Sequence, residues 1–370
     1  MAPVLHALSS DPRFVCVPIA TAQHRQMLDE VLSLFEVKAE YDLEVMTEGQ
    51  TLTDITTRVL ERIAAVLADR KPDVVLVHGD TTTSTSAALA AFYQKIPVGH
   101  VEAGLRTDTV YEPFPEEMNR RITGIIATHH FAPTPTARAN LLKEGKAADT
   151  IVVTGNTVID ALLWVHARLT PTDVPVVETA RLLFVEAHRR ENLGAPMEAI
   201  CRALKTVMAG RSDLSLIWPV HPNPEVVNTV RRELEGQARV RLVPPLGYRE
   251  LIGTLGRSTI IVTDSGGLQE EGPCLGKPVL VLRRVTERPE GVAAGTLQLV
   301  GTDEGNIKAA LERLLDDSHF YDKMARAANP YGDGRASGRI ADSLWAHYRG
   351  GAPPAEFDPS LPPLLPVSAP

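Results

Sequence analysis

Seven polar residues share one setting in this chain. Asp80, Glu102, Asn156, His188, His221, Asp264 and Ser265 each stand at or just past the end of a short apolar run. Carboxylates and histidines in that position are the groups proton transfer needs. Asp80 follows Val74-Val-Leu-Val77 and a His-Gly pair, and its plain structural use is to cap the next helix. Glu102 lies between Val101 and Ala103-Gly104, with no helix to cap. Glu116 and Glu117 follow Pro115 at a helix start, where acids are favoured on electrostatic grounds alone. His188 precedes Arg189 and Arg190, two cations that lower a histidine's pKa and attract phosphate. Arg288, in Thr286-Glu-Arg-Pro-Glu290, can grip a pyrophosphate with two N–H groups.

One stretch combines several anion-binding features. Thr259-Ile-Ile-Val-Thr263 reads as a buried strand, Asp264-Ser265-Gly266-Gly267 as a turn, and a helix follows to Lys277-Pro278. Free backbone N–H groups and two glycines there let a phosphate come close to the chain, and the first helical turn carries Gln269-Glu270-Glu271, where a carboxylate can accept from ribose hydroxyls. An ordinary βα turn with Ser265 as helix cap is the plain alternative. No Walker A motif is present, no Gly-x-Gly-x-x-Gly follows a strand, and no His/Cys cluster has zinc spacing. Carboxylates with a histidine therefore point to proton transfer on a bound phosphate ester, without metal or cofactor.

The elements that carry these groups alternate. Strands are expected at 14–19, 73–77, 97–101, 130–132 and 151–154, then at 182–185, 214–220, 239–243, 259–263 and 278–282, with helices between them. Strand–helix alternation means parallel sheets covered by helices, whose ligand edge is the C-terminal end of the strands. Thr170-Pro-Thr-Asp-Val-Pro175 breaks the pattern. The expected division is residues 1–168, residues 169–349 with a last helix that packs back on the first domain, and a Pro-rich disordered tail at 350–370.

Composition sets limits. The chain has 370 residues, 44% hydrophobic and 23% charged, with a net charge of −8. That is an ordinary globular composition, long enough for two domains, and the acidic balance argues against a nucleic-acid surface. Three cysteines without metal or disulfide spacing fit a reducing cytosol, and no apolar run approaches a membrane span.

Longer motifs make the sequence recognisable. Thr21-Ala-Gln-His-Arg-Gln-Met-Leu-Asp29, Val77-His-Gly-Asp-Thr-Thr-Thr83, Gly99-His-Val-Glu-Ala-Gly-Leu-Arg106, Pro115-Glu-Glu-Met-Asn-Arg120, Thr154-Gly-Asn-Thr-Val-Ile-Asp160, His188-Arg-Arg-Glu-Asn192, Thr263-Asp-Ser-Gly-Gly267, Thr286-Glu-Arg-Pro-Glu290 and Asn329-Pro-Tyr-Gly-Asp-Gly334 occur in one order, nearly end to end. In these the chain closely resembles the bacterial non-hydrolysing UDP-N-acetylglucosamine 2-epimerases. The resemblance implies two Rossmann-like domains facing across a cleft, as in GT-B glycosyltransferases. It implies a cytoplasmic, homodimeric isomerase that interconverts UDP-GlcNAc and UDP-ManNAc and supplies ManNAc for surface polysaccharide. By the same match Asp80, Glu102, Glu116 and His188 are the acid/base set, and Ser265, Gly266, Gly267, Glu271 and Arg288 hold UDP. A second, regulatory UDP-GlcNAc site falls on Gln23, Gln26, Glu116, Arg189 and His221, with Gly49 where some relatives have an arginine. Domain closure is expected to bring the two sets together.

Three departures from the family pattern stand out. Family members open with an apolar strand and a Gly-Thr-Arg-Pro-Glu turn, whereas this chain starts at the following Met-Ala-Pro helix. The expectation is a first sheet without a central strand, a UDP site without one arginine, and a chain that is unstable or poorly active until extended upstream. Glu186 stands two residues before His188 on the same strand face, where it opposes the arginines by raising the histidine's pKa. Arg284-Val285 replaces a common Asp-Thr pair. Three other readings compete with the resemblance: a hydrolysing epimerase releasing ManNAc and UDP, a glycosyltransferase, and a non-catalytic UDP-sugar sensor.

Overall fold

The structure is a computed structural model. It describes residues 1–21, 25–47, 49–173 and 179–360, with the backbone alone at residues 25–27. The chain forms two compact units, one of Met1–Ala161 with Gly332–Phe357, the other built mainly of Leu162–Tyr331.

The first unit carries β1 (Ile19–Ala20), β2 (Tyr41–Asp42), β3 (Val75–His78), β4 (Val98–Val101), β5 (His129–Ala132) and β6 (Ile151–Val153). β1 and β2 pair in parallel as one small sheet, and β3-β4-β5-β6 form a second, also parallel. The six strands of this unit thus fall into two separate parallel sheets. The segment 14–18 is not strand, and only Ile19–Ala20 has the ladder. The helices Ala2–Ser9 and Ala336–Arg349 pack together through Val4, Leu8, Ile340, Ala341 and Leu344 over Val101 and Phe131. That apolar face is why the last helix belongs to this unit. Asp160 fastens its start by accepting from the Ala336 and Ser337 amides, two of the donors a helix N-terminus leaves unpaired.

The second unit carries β7 (Arg181–Glu186), β8 (Leu214–Pro219), β9 (Val240–Val243), β10 (Ile260–Thr263), β11 (Val279–Val281) and β12 (Leu297–Leu299). They form one parallel sheet in the order β12-β11-β10-β7-β8-β9. Leu182 to Val185, Leu214 to Trp218 and Ile260 to Val262 are almost wholly buried, as strands covered on both faces must be. Strand order reverses between β7 and β10, so the crevice past their C-terminal ends is the topological switch point, where open α/β sheets bind ligands.

Two expectations change here. The division falls at Ala161–Leu162, inside the helix Thr157–His166, and not after residue 168. The tail is not disordered throughout. Phe357 is buried and its N–H donates to the Val153 carbonyl, while Glu356 pairs with Arg138 at 2.6 Å. One aromatic ring and one ion pair are enough to dock this stretch on the first unit. Residues 361–370 lie outside the described residues.

Candidate nucleotide and acid/base site

In the second unit the site is built around one buried carboxylate. Asp264 is wholly inaccessible. Its oxygens accept the backbone N–H of His188 at 3.0 and 3.2 Å, that of Arg189 at 2.9 Å, and the Asn192 side-chain amide at 2.8 Å. Asn192 also donates to the Leu282 carbonyl. Asp264 therefore ties the loop after β7 to the turn after β10 across the switch point. A buried carboxylate needs such donors, and each bond to a charged group contributes about 1.5–3 kcal/mol.

The turn itself differs from the sequence reading in detail. The following helix, Leu268–Cys274, takes Gly267 as its N-cap with no side-chain cap. Ser265 is thus not the cap, and its N–H turns back onto the Thr263 hydroxyl at 2.9 Å. Neither Gly266 nor Gly267 adopts a left-handed backbone. A β-carbon at either would meet only side-chain atoms 4.0 Å away. The glycines are therefore not demanded by local geometry, and open access to the backbone is what they provide.

Glu271 faces this turn and is buried. Its Oε1 accepts from the Tyr248 hydroxyl at 3.0 Å. Burial pushes its pKa up to about 7, with the neighbouring carboxylates Glu270 and Glu186 adding to the rise. Arg288 is held from several sides. Its Nε donates to the buried Glu270, its N–H to the Thr286 hydroxyl, and its carbonyl accepts from the Tyr331 hydroxyl at 3.1 Å. The Thr286 hydroxyl donates to Gln269. Tyr248, Glu270 and Tyr331 were not singled out from sequence. Glu270 sits in the quoted Gln-Glu-Glu run and Tyr331 in the Asn-Pro-Tyr motif, and their ordinary residue types gave no chemical signal.

His188 stacks on His221, with ring centroids 5.0 Å apart and planes 19° from parallel. Its Nε2 lies 3.5 Å from Glu186 Oε1. The balance of effects is the reverse of what the arginines alone imply. The Glu186 hydrogen bond raises the histidine's pKa most, and Arg189 opposes it only weakly. The Arg189 guanidinium is itself engaged with Glu287 at 3.7 Å. His221 Nδ1 accepts from the Asn223 N–H before the helix Pro224–Leu234.

In the first unit the carboxylates sit past the ends of neighbouring strands β3 and β4. Asp80 is not a helix cap, because Thr81 fills that place with its hydroxyl on the Ser84 N–H. Asp80 instead pairs with Arg120 at 2.5 Å, and its carbonyl accepts from Asn119. Arg120 is anchored by Glu117, which is wholly buried and also takes Arg121 at 2.7 Å and the Thr107 N–H at 3.1 Å. Glu117 is therefore the structural member of the Glu116–Glu117 pair. Glu116 opens the helix Glu116–Ile126, half-buried. Glu102 adopts φ 63°, a left-handed conformation that costs about 1–2 kcal/mol in a residue with a side chain. Asn156 donates to its Oε1 at 3.3 Å, and His78 Nε2 lies 3.6 Å from its Oε2. Burial pushes His78 down to about 3, so the contact is with a neutral imidazole.

The expected regulatory residues are divided. Gln23 and the Gln26 side chain lie outside the described residues, Glu116 is in the first unit, and Arg189 and His221 flank His188 in the second. Among the described residues no group of three His, Cys, Asp or Glu could hold a metal ion.

These features define a GT-B-like protein of two Rossmann-like units with a glycine turn at the switch point of the second. A sequence model of UDP-N-acetylglucosamine 2-epimerase matches residues 6–345, and the chain belongs to that family. The Escherichia coli K12 UDP-N-acetylglucosamine 2-epimerase is 51% identical over 354 residues, 93% of this chain and 94% of that protein. The UDP-GlcNAc 2-epimerase of Neisseria meningitidis, solved bound to UDP-GlcNAc, is 46% identical with a TM-score of 0.84, covering 93% of this chain and 95% of that one. That of Methanocaldococcus jannaschii, solved with UDP-GlcNAc and UDP, is 31% identical with a TM-score of 0.75 over the same shares.

Replacing Asp264 by Asn removes the charge that two backbone amides and Asn192 converge on. The expected outcome is a loss of about 2–3 kcal/mol of unfolding free energy, read as a lowered Tm. An unchanged Tm contradicts the assignment of Asp264 as the tie.

Proposed function

We propose that this protein interconverts UDP-GlcNAc and UDP-ManNAc without hydrolysing them. The observation that carries the reading is the convergence of Ser265, Gly266, Gly267, Glu271, Arg288 and His188 at one switch point, fastened by Asp264, in a family with a member solved holding UDP-GlcNAc. In this reading the backbone of residues 265–267 and Arg288 take the pyrophosphate, and Glu271 takes the ribose hydroxyls.

The chemistry follows from the substrate. The C2–H of the sugar is not next to a carbonyl, so removing it alone is too costly. Breaking the C1–O bond as C2 is deprotonated gives 2-acetamidoglucal: the C2–H electrons form the double bond, the proton passes to a carboxylate, and the C1–O pair leaves with UDP. Return of a proton to the opposite face and re-addition of UDP invert C2. Asp80, Glu102 and Glu116 are the candidate acid/base carboxylates. Asp80 beside Arg120 and Glu102 beside Asn156 and neutral His78 have different surroundings, which supports different roles. His188, held toward its charged form, suits the developing negative charge on the UDP oxygen.

The reading extends to a cytoplasmic homodimer that supplies ManNAc for surface polysaccharide and responds to a second, regulatory UDP-GlcNAc. Three free cysteines support the compartment, and no described helix is long and apolar enough to cross a membrane. Met118, Ile122 and Ile125 form an exposed apolar stripe on the helix Glu116–Ile126, a surface that suits a second copy.

Incubation with UDP-GlcNAc in D2O is expected to give UDP-ManNAc with deuterium at C2 and no accumulation of free UDP. Stoichiometric UDP and free ManNAc sink the non-hydrolysing reading, and an unlabelled C2 sinks the proton-transfer step. UDP binding is also expected to depend on pH through Glu271. Its folded pKa of about 7 means the carboxylate that accepts from ribose is formed only as pH rises through that value. Calorimetry should show UDP affinity rising about tenfold between pH 6 and pH 8, with E271Q weaker and flat. Equal slopes in both proteins contradict the assignment.

A further inference from the structure

Glu186 is the one carboxylate on β7, and it ends that strand between buried Val185 and Ala187. It points to the same strand face as His188, and its Oε1 lies 3.5 Å from His188 Nε2. Three other contacts fix the histidine. Its N–H is held by Asp264, its ring is stacked on His221, and Arg189 follows it with its own N–H on the same Asp264 oxygen. Glu271, on the helix after the β10 turn, faces Glu186 as a like charge. Glu186 thus lies beside the histidine and within the field of the candidate ribose acceptor, and the histidine ring is the cation that can answer its charge.

We propose that Glu186 is the positioning residue of His188, holding Nε2–H of the ring and keeping the imidazole charged through turnover, so that a cation stands ready when the UDP oxygen leaves C1. The inference rests on the epimerase reading for its consequence but not for its geometry. The direction of the histidine's shift agrees with it: the Glu186 hydrogen bond is the largest cause, the Asp264 charge adds, and burial and Arg189 oppose. The sign is fixed by that raised pKa. The charged form is complete at low pH and is lost as pH rises through the folded value, so Glu186 extends activity toward alkaline pH.

The test uses the full chain and two readouts. His188 is followed by NMR through its ring Cε1–H in the UDP-free protein, assigned with H188Q, while kcat and KM for UDP-GlcNAc are measured from pH 6 to pH 9. In E186Q the His188 midpoint is expected to fall. For a midpoint displaced by about one unit, kcat falls about tenfold on the alkaline limb. At pH 6 the loss of kcat is smaller than on the alkaline limb. E186D recovers part of the alkaline activity. A His188 midpoint that does not move in folded E186Q, or in E186D should the glutamine variant not fold, overturns the proposal. A midpoint that falls in a protein that makes no UDP-ManNAc upholds the pairing and overturns the epimerase reading instead.

Discussion

A single buried carboxylate holds the second unit's site in place. Asp264 has no access to water, and the backbone amides of His188 and Arg189 and the amide of Asn192 converge on it, supplying the donors a buried carboxylate needs. Those donors lie past the end of β7, while Asp264 lies past the end of β10. The bonds join the two strands at the point where the sheet reverses order, and they fix the histidine and the glycine turn as one piece. A turn that moved independently of the histidine would hold no fixed geometry with it, and fixed geometry is what a reaction on a bound molecule would need.

The first unit uses the same device with a different residue. Glu117, wholly buried, gathers Arg120, Arg121 and the Thr107 amide, and Arg120 in turn holds Asp80. Glu102 is fixed by backbone as much as by side chain. Its left-handed conformation is sustained by the strand end and by Asn156, and strained residues of this kind collect at functional sites. In both units a buried carboxylate with no proposed chemistry positions a group proposed to have it, Asp80 in the first and His188 in the second.

Much of this was legible in the sequence because apolar runs and their polar ends are local signals. The strands 182–185, 214–220 and 259–263 read directly as β7, β8 and β10, and Asp80, Glu102, His188 and Asp264 stood at strand ends before any coordinates. β2 and β12 were not read, being two and three residues long. The segment 14–18 looks like a strand by composition but has no ladder, since pairing is a tertiary matter that propensity does not decide. The partners of the site residues were the least legible. Arg120, Tyr248, Glu270 and Tyr331 act through contacts 18 to 43 residues away in sequence, and no spacing rule reaches that far. The opposition of Glu186 to the two arginines could be read in sequence, but which side wins could not, and the contact of Glu186 with His188 at 3.5 Å decides it.

The central claim is that UDP leaves the sugar, stays bound, and returns while C2 inverts. UDP-GlcNAc carrying oxygen-18 in the bond between sugar C1 and the β-phosphorus tests this directly. A detached, retained UDP can rotate its β-phosphate, so the label is predicted to spread from the bridging to the non-bridging oxygens in the recovered UDP-sugars. Conversion to UDP-ManNAc with the label wholly retained in the bridge would contradict the account.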